Sequence, residues 1–336
     1  MNPRDALLAL VNGQSLSREA MAGIMGEVMD GKVPDALLAG ITVALLAKKE
    51  TSAEISGALD ALMARQCQFP GNGEDAIDVC GTGGDRSGTV NLSTAVSFVL
   101  AGGGVKIIKH GNRAISSRAG SADVLEALGL RIDMTPDEAA LLYRETGLTF
   151  LFAPIYHSAL RAVANVRRDL GIRTFFNLLG PLANPARVRK QVVGVYDPER
   201  LPLVVDVLAS TGSQNVLALF GDGLDEVNLA STTTMLHLFN GKTTLSEVTA
   251  KDFGLDSSPL SDALGGDRDR NALLIRRVLE GESFPLRNWV LAGAAPGFLV
   301  AGKVSSLSEG VEAARKAIDT GAALNVLRRW KEVIAS

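Results

Sequence analysis

The chain has 336 residues, 46% of them hydrophobic and 21% charged, with a formal net charge of −3. That balance belongs to a soluble globular protein of one or two domains and carries no charge excess that would recruit nucleic acid or an anionic membrane. Its two cysteines, Cys67 and Cys80, are too few for a disulfide framework or a thiolate metal site, and no segment has the make-up of a secretory leader or an uninterrupted membrane span, so a cytoplasmic protein is expected.

From Asp5 to about Gln66, apolar residues recur at three- and four-residue spacing, as in Met21, Ile24, Met25 and Val28, or Ile55, Leu59, Leu62 and Met63. Ser17, and Thr51 or Ser52, stand where N-caps belong. The turn-rich stretch Phe69-Pro70-Gly71-Asn72-Gly73 ends this pattern, so a small α-helical domain is expected over 1–70 and a large second domain over 73–336. In the latter, 76–80 and 105–109 read as buried strands, each followed by a loop and a helical pattern. Residues 189–197, 215–221 and 234–242 read as further strands, with a helix over 201–212, and the chain ends in helix from Leu307 onward. This alternation predicts an α/β fold with a mostly parallel central sheet. The stretch 158–185 has helical periodicity and a basic face, and it joins either the sheet domain or the N-terminal helices.

The chemistry concentrates in a few loops. Gly81-Thr82-Gly83-Gly84-Asp85 follows a strand and precedes Asn91-Leu92-Ser93-Thr94, where a helix begins. Glycines let several backbone N–H groups face one anion, and a helix N-terminus adds unpaired donors, which suits phosphate or pyrophosphate. A tight turn alone also needs glycine. Lys109-His110-Gly111-Asn112-Arg113 closes the next strand with an ammonium, an imidazole, an amide and a guanidinium, a poor recipe for a core and a good one for a binding loop. Ser116-Ser117-Arg118-Ala119-Gly120-Ser121 is a second hydroxyl- and glycine-rich helix start, able to bind an anion or to cap the helix.

In this order and spacing, GTGGD, NLST, KHGNR and GSADVLEALG resemble the anthranilate phosphoribosyltransferases. The resemblance continues through FLFAPIYH, RRDLGIRTFFNLLGPLANP, GLDEV, GGD with Asn271-Ala272, AGK and AIDTGAAL, and so covers nearly the whole chain. It implies transfer of a phosphoribosyl group from phosphoribosyl pyrophosphate to anthranilate with release of pyrophosphate, a step of tryptophan biosynthesis. The implied architecture is a helical domain, joined by part of 158–185, beside an α/β domain like that of pyrimidine nucleoside phosphorylases, with homodimers pairing through the helical domain.

By the same resemblance, Gly81, Gly83, Gly84, Asp85, Asn91, Ser93, Thr94, Lys109 and Ser121 hold the phosphoribosyl donor, with Lys109 and Asp85 in catalytic roles. Ser93, Asp225 and Glu226 serve Mg2+, which takes hard oxygen ligands and substrate phosphates. Gly81, His110, Asn112 and Arg167 face anthranilate, with Pro181 on the wall of its approach path. A guanidinium fork matches the carboxylate of that substrate, and Arg168, about 100° round the helix from Arg167, faces elsewhere. His157, followed by Ser158 where proline is usual in the family, carries little weight, and His237 reads as structural.

Displacement at an anomeric carbon builds charge on the departing pyrophosphate, so electrostatic stabilisation is the main catalytic task, and a neutral aryl amine needs no strong base. Some positions depart from the family pattern: SSRAG in place of SSKSG, Arg86 beside the glycine loop, Val227 after the acidic pair, and Gly293, Pro296 and Gly297 in a helix expected to kink or break there. Two rivals share the fold: a pyrimidine nucleoside phosphorylase, disfavoured by KHGNR and FNLLGPLANP, and a non-catalytic nucleic-acid-binding relative, disfavoured by the small net charge and the intact motifs.

Overall fold

The computed structural model describes residues 1–336 apart from 86, 115–117 and 335–336. Its N-terminal quarter is helical: α1 Pro3–Val11, α2 Arg18–Met29, α3 Asp35–Lys48 and α4 Ser52–Met63. Ser17 caps α2 by accepting from the N–H of Ala20, and Thr51 forms a reciprocal capping box with Glu54 at the start of α4. Glu54 is fully buried and also accepts from the N–H of Leu16 at 2.9 Å and from Lys48 Nζ at 3.0 Å. One carboxylate thus pins the α1–α2 and α3–α4 connections.

After the expected break come β1 Ile77–Gly81, α5 Leu92–Gly102, β2 Ile107–Gly111, α6 Ser121–Ala127, α7 Pro136–Thr146 and β3 Leu148–Phe152. The short helices α8 Ala153–Tyr156, α9 Ala164–Leu170 and α10 Phe176–Leu182 follow, then β4 Lys190–Gly194, α11 Leu201–Ser210, β5 Asn215–Phe220, β6 Thr233–Phe239 and β7 Lys242–Val248. The chain closes with α12 Arg268–Leu279, α13 Leu286–Val300, α14 Leu307–Asp319 and α15 Ala322–Val333. The sheet runs β3-β2-β1-β4-β5-β6-β7, with β1 to β5 parallel and β6 and β7 antiparallel.

Three expectations change in detail. The stretch 234–242 is not one strand, because Asn240 and Gly241 take positive φ of 49° and 77° and reverse the chain into β7. An Asn-Gly pair is the turn that a two-residue hairpin demands. β3 is a strand the sequence pattern did not mark, since four apolar residues and a buried threonine flanked by helical stretches carry no inside–outside alternation to read. The kink expected near Pro296 does not break α13, which runs continuously with Gly293, Pro296 and Gly297 all buried. Burial of this small-residue face against α5 and α14 offsets the missing backbone donor.

The sheet has an apolar core on each side, and side-chain alternation assigns the residues. On β5, Leu217 and Leu219 join the core under α5 and α12 to α15, while Val216 and Ala218 join the core that holds Met21, Ile24, Ile41 and Leu62 of the helical layer. The stretch whose allegiance was open packs with that second core: Val163, Val166, Phe175, Leu178 and Leu179 are buried there. It therefore lies between the N-terminal helices and the carboxyl ends of the strands.

Candidate active site

Strand order reverses at the β1–β4 pair, and in open parallel sheets the crevice at that point, outside the carboxyl ends, collects ligands. Gly81 and Gly194 end these strands as register partners. A Cβ on Gly81 would collide with Asp225 Oδ2, and one on Gly194 with the carbonyl oxygen of Asp225. The two glycines let the acidic loop settle directly over the switch point.

There Asp225 Oδ2 accepts the N–H of Gly83 at 2.6 Å, and Glu226 Oε1 accepts the N–H of Ser93, in the first turn of α5, at 3.2 Å. Lys109 lies within β2, as expected, and is 4% exposed; its Nζ donates to the carbonyl of Val79 and, at 3.2 Å, to Ser93 Oγ. Asp85 accepts from Ser87 N–H through Oδ1, and its buried Oδ2 has no partner among the described residues. Burial, then the charge of Asp85, pushes Asp225 up to about 7. Burial, then Asp225, pushes Glu226 up to about 8. Asp78, fully buried beneath them, is raised to about 6 by burial against the opposing pull of Lys109.

Three crowded carboxylates facing one ammonium form a site that a cation relieves. Among the described residues no three His, Cys, Asp or Glu side chains converge into a ready cage. Mg2+ keeps waters and takes substrate phosphates, so two carboxylates and a hydroxyl suit it without such a cage.

The second wall is built on α9 and α10. His110 Nδ1 pairs with the carbonyl of Gly180 at 3.0 Å and His157 Nε2 with that of Ala183 at 2.7 Å. A carbonyl only accepts, so these nitrogens carry the protons, which leaves His110 Nε2 and His157 Nδ1 as buried acceptors without partners among the described residues. The rings meet edge to face at 5.1 Å. Burial, then His157, pushes His110 down to about 3, and burial lowers His157, so both are neutral imidazoles. Arg167 on α9 is half-buried, its guanidinium 5.8 Å from the ring centre of Phe176, and burial lowers its pKa. Among the described residues it has no carboxylate partner, whereas exposed Arg168 pairs with Asp169 and Asn165.

Not every residue singled out from sequence points into this crevice. Thr94 is 1% exposed, lies beside a small internal cavity together with Ser97, Lys109 and Thr149, and its buried hydroxyl has no hydrogen-bond partner among the described residues. Asn91 donates to the carbonyl of Ala119 and accepts from Asn271, bracing two loops. Ser121 donates to the carbonyl of Asn112, whose side chain caps Arg113 N–H. Arg113 is not a free fork: Glu126 holds it through two bonds of 2.6 and 2.7 Å, and Asp123 through a third of 3.1 Å. Pro181 lies inside α10, and its carbonyl accepts from Gln191 at 2.6 Å. His237 is structural, paired with Asn215. Arg86, Ser116 and Ser117 lie outside the described residues, and Arg118 is exposed.

Sequence reasoning gave His157 little weight and did not single out Asp78, Gly194 or Arg173. Arg173 stood within the matched stretch RRDLGIRT, which was a signal, but the attention there went to Arg167.

Comparison with known proteins places the chain in a family. Residues 4–65 match the family model described as "Glycosyl transferase family, helical bundle domain", and residues 73–324 the one described as "Glycosyl transferase family, a/b domain". The anthranilate phosphoribosyltransferase of Chlorobaculum parvum is 41% identical, over 99% of this chain and 96% of its own. That of Anaeromyxobacter is 42% identical over 97% of each. The crystal structure of the enzyme from Thermus thermophilus superposes with a TM-score of 0.93 at 40% identity, covering 99% of this chain and 100% of that one. The Saccharomyces cerevisiae enzyme in complex with PRPP and Mg does so with a TM-score of 0.90 at 26% identity, covering 99% and 98%.

Proposed function

The chain belongs to the anthranilate phosphoribosyltransferase family, and from that premise we propose how its residues divide the reaction. The activity is transfer of the phosphoribosyl group from phosphoribosyl pyrophosphate to anthranilate in tryptophan biosynthesis. Membership sets aside both the nucleoside phosphorylase and the nucleic-acid-binding readings.

The donor's diphosphate lies over the β1–β4 switch point. Asp225, Glu226 and the Ser93 hydroxyl would hold Mg2+ there, and the backbone N–H groups of Gly84 and Asp85, free among the described residues, face the phosphates. Bound Mg2+ supplies positive charge to the departing pyrophosphate. Gly81 and Gly83 keep the loop open, Ser121 and Asn91 hold the neighbouring loops, and Lys109 anchors Ser93 from below. Asp85, whose carboxyl group lies against that of Asp225, completes the acidic side of the donor's site.

Anthranilate enters between His110, Asn112 and Arg167. Arg167 grips its carboxylate with parallel hydrogen bonds. His110 Nε2, held as an acceptor, receives an amine N–H and so orients the nitrogen lone pair toward the anomeric carbon. The carbon–oxygen bond breaks with its electron pair leaving on pyrophosphate, the carbon–nitrogen bond forms, and the surplus amine proton passes to solvent.

The helical unit over 1–70, joined by part of 158–185, and the α/β unit over 73–336 form this crevice between them. The chain pairs as a homodimer through the helical unit, a reading supported by Leu8 and Val11 of α1 and Val43 of α3, which are 64%, 68% and 42% exposed on contacting helices. Two free thiols fit a cytoplasmic setting.

The observation that carries this assignment is a metal-fitting acidic pair hydrogen-bonded to the glycine loop, opposite an unpaired arginine. Its test is a steady-state assay following anthranilate fluorescence. Arg167→Ala is expected to raise the anthranilate KM at least about tenfold with the donor KM unchanged, and Arg168→Ala to change neither. Equal effects from the two substitutions would contradict the placement of the amine.

A further inference from the structure

Arg173 lies in the connection between α9 and α10, on the same segment as Arg167. Its guanidinium is spread over the bare face of Gly84: a Cβ there would sit 2.6 Å from Nη2 and 2.7 Å from Cζ and Nε. It also lies on Tyr196, 4.1 Å from the ring centre, and the backbone N–H of Tyr196 donates to Thr82 Oγ1 at 3.2 Å. The aromatic face and the glycine loop are therefore one support. Among the described residues Arg173 has no carboxylate partner and no hydrogen bond, although it is half-buried. A guanidinium held this way has its edge donors unspent, and removing it from water without an anion is costly.

The backbone beside it says which anion is missing. The N–H groups of Gly84 and Asp85 are free among the described residues, and a glycine loop with unspent backbone donors next to a guanidinium edge favours phosphate oxygens. We propose that Arg173 is a diphosphate-binding residue: the helical layer extends it across the crevice to take oxygens of the departing pyrophosphate beside Gly84. This rests on the reading of the glycine loop as the diphosphate site. The electron pair of the breaking carbon–oxygen bond ends on pyrophosphate, where the guanidinium N–H groups meet the charge with no proton transferred. One segment then presents two anion handles, Arg167 to the acceptor's carboxylate and Arg173 to the leaving group, so both substrates draw the helical layer onto the sheet.

The experiment is calorimetric titration of the full chain with inorganic pyrophosphate in saturating Mg2+, for wild type, Arg173→Lys and Arg173→Gln, with the anthranilate KM and Tm of each. Arg173→Gln is expected to weaken pyrophosphate binding at least about tenfold, with Arg173→Lys in between and the anthranilate KM unchanged within about twofold. Wild-type pyrophosphate affinity in either variant, with a lowered Tm, would make Arg173 a structural staple and overturn the proposal. Should Arg173→Gln fail to fold, undiminished affinity in Arg173→Lys overturns it equally, since an ammonium lacks the fork. A wild type that does not bind pyrophosphate would instead remove the diphosphate site itself.

Discussion

The N–H of Gly83 and the Oδ2 of Asp225 are joined at 2.6 Å, which makes the glycine loop and the acidic loop one body although 142 positions separate them. Asp225→Asn keeps the shape but removes a charge that a divalent cation and the departing pyrophosphate require. The expected result is a fall in kcat of about 100-fold or more and a higher Mg2+ requirement, measured by Mg2+ titration of the rate. Folding is expected to persist, because the substitution relieves a crowded carboxylate.

The acidic cluster also sets a pH dependence in the metal-free protein. Burial, with the neighbouring acidic groups, pushes Asp225 up to about 7 and Glu226 up to about 8 in the folded chain, from ordinary carboxylate values of 3.8 and 4.5. The folded chain therefore holds protons that the unfolded chain has released, so this contribution to stability is complete below the ordinary values of 3.8 and 4.5, falls progressively as pH rises above them, and is gone once pH has passed the folded values of about 7 and about 8. Thermal melts without metal should show Tm decreasing from pH 6 to pH 8.5. Glu226→Gln should flatten that decrease, and Mg2+ should restore Tm at the alkaline end; a pH-independent difference between variant and wild type would contradict the assignment.

Glu54 tests the helical layer apart from the chemistry. It is fully buried and holds Lys48 together with the backbone of Leu16 and Thr51. Glu54→Ala leaves Lys48 without its counter-charge, and a cost of about 3–5 kcal/mol is expected in urea unfolding. A cost below about 1 kcal/mol would place the pair among surface ion pairs, which contribute little.

Gly194 draws no notice at the end of β4, yet a Cβ there would strike the carbonyl oxygen of Asp225. Gly194→Ala is expected to push the acidic loop out of register and lower kcat/KM about 100-fold, with an unchanged circular-dichroism spectrum. Near-normal activity would mean that the loop has another way to settle.

The legible parts of this site were those whose chemistry is adjacent in the chain. Gly81 to Asp85 after a β-branched run, Asp225 beside Glu226 and Arg167 within a matched stretch could be named from residue type and spacing. Gly194 and Arg173 could not, because their roles depend on strand register and on a loop crossing to Gly84. Arg113 shows the opposite error: a loop arginine reads as a ligand until Glu126, one helix later, is seen to occupy it. In the fold, helical periodicity carried α1 to α4, and the Asn240-Gly241 turn was a signal not used. β3 was hidden because a short, fully buried strand has no alternation.

The most direct test of the account is product identification. Purified protein is incubated with phosphoribosyl pyrophosphate, Mg2+ and anthranilate, and the mixture is analysed by mass spectrometry alongside a pyrophosphate assay. The account expects N-(5-phosphoribosyl)anthranilate and pyrophosphate in equal amounts, with neither formed when the donor is omitted or Mg2+ is chelated. Pyrophosphate release without the anthranilate adduct, or no turnover by folded protein, would contradict it.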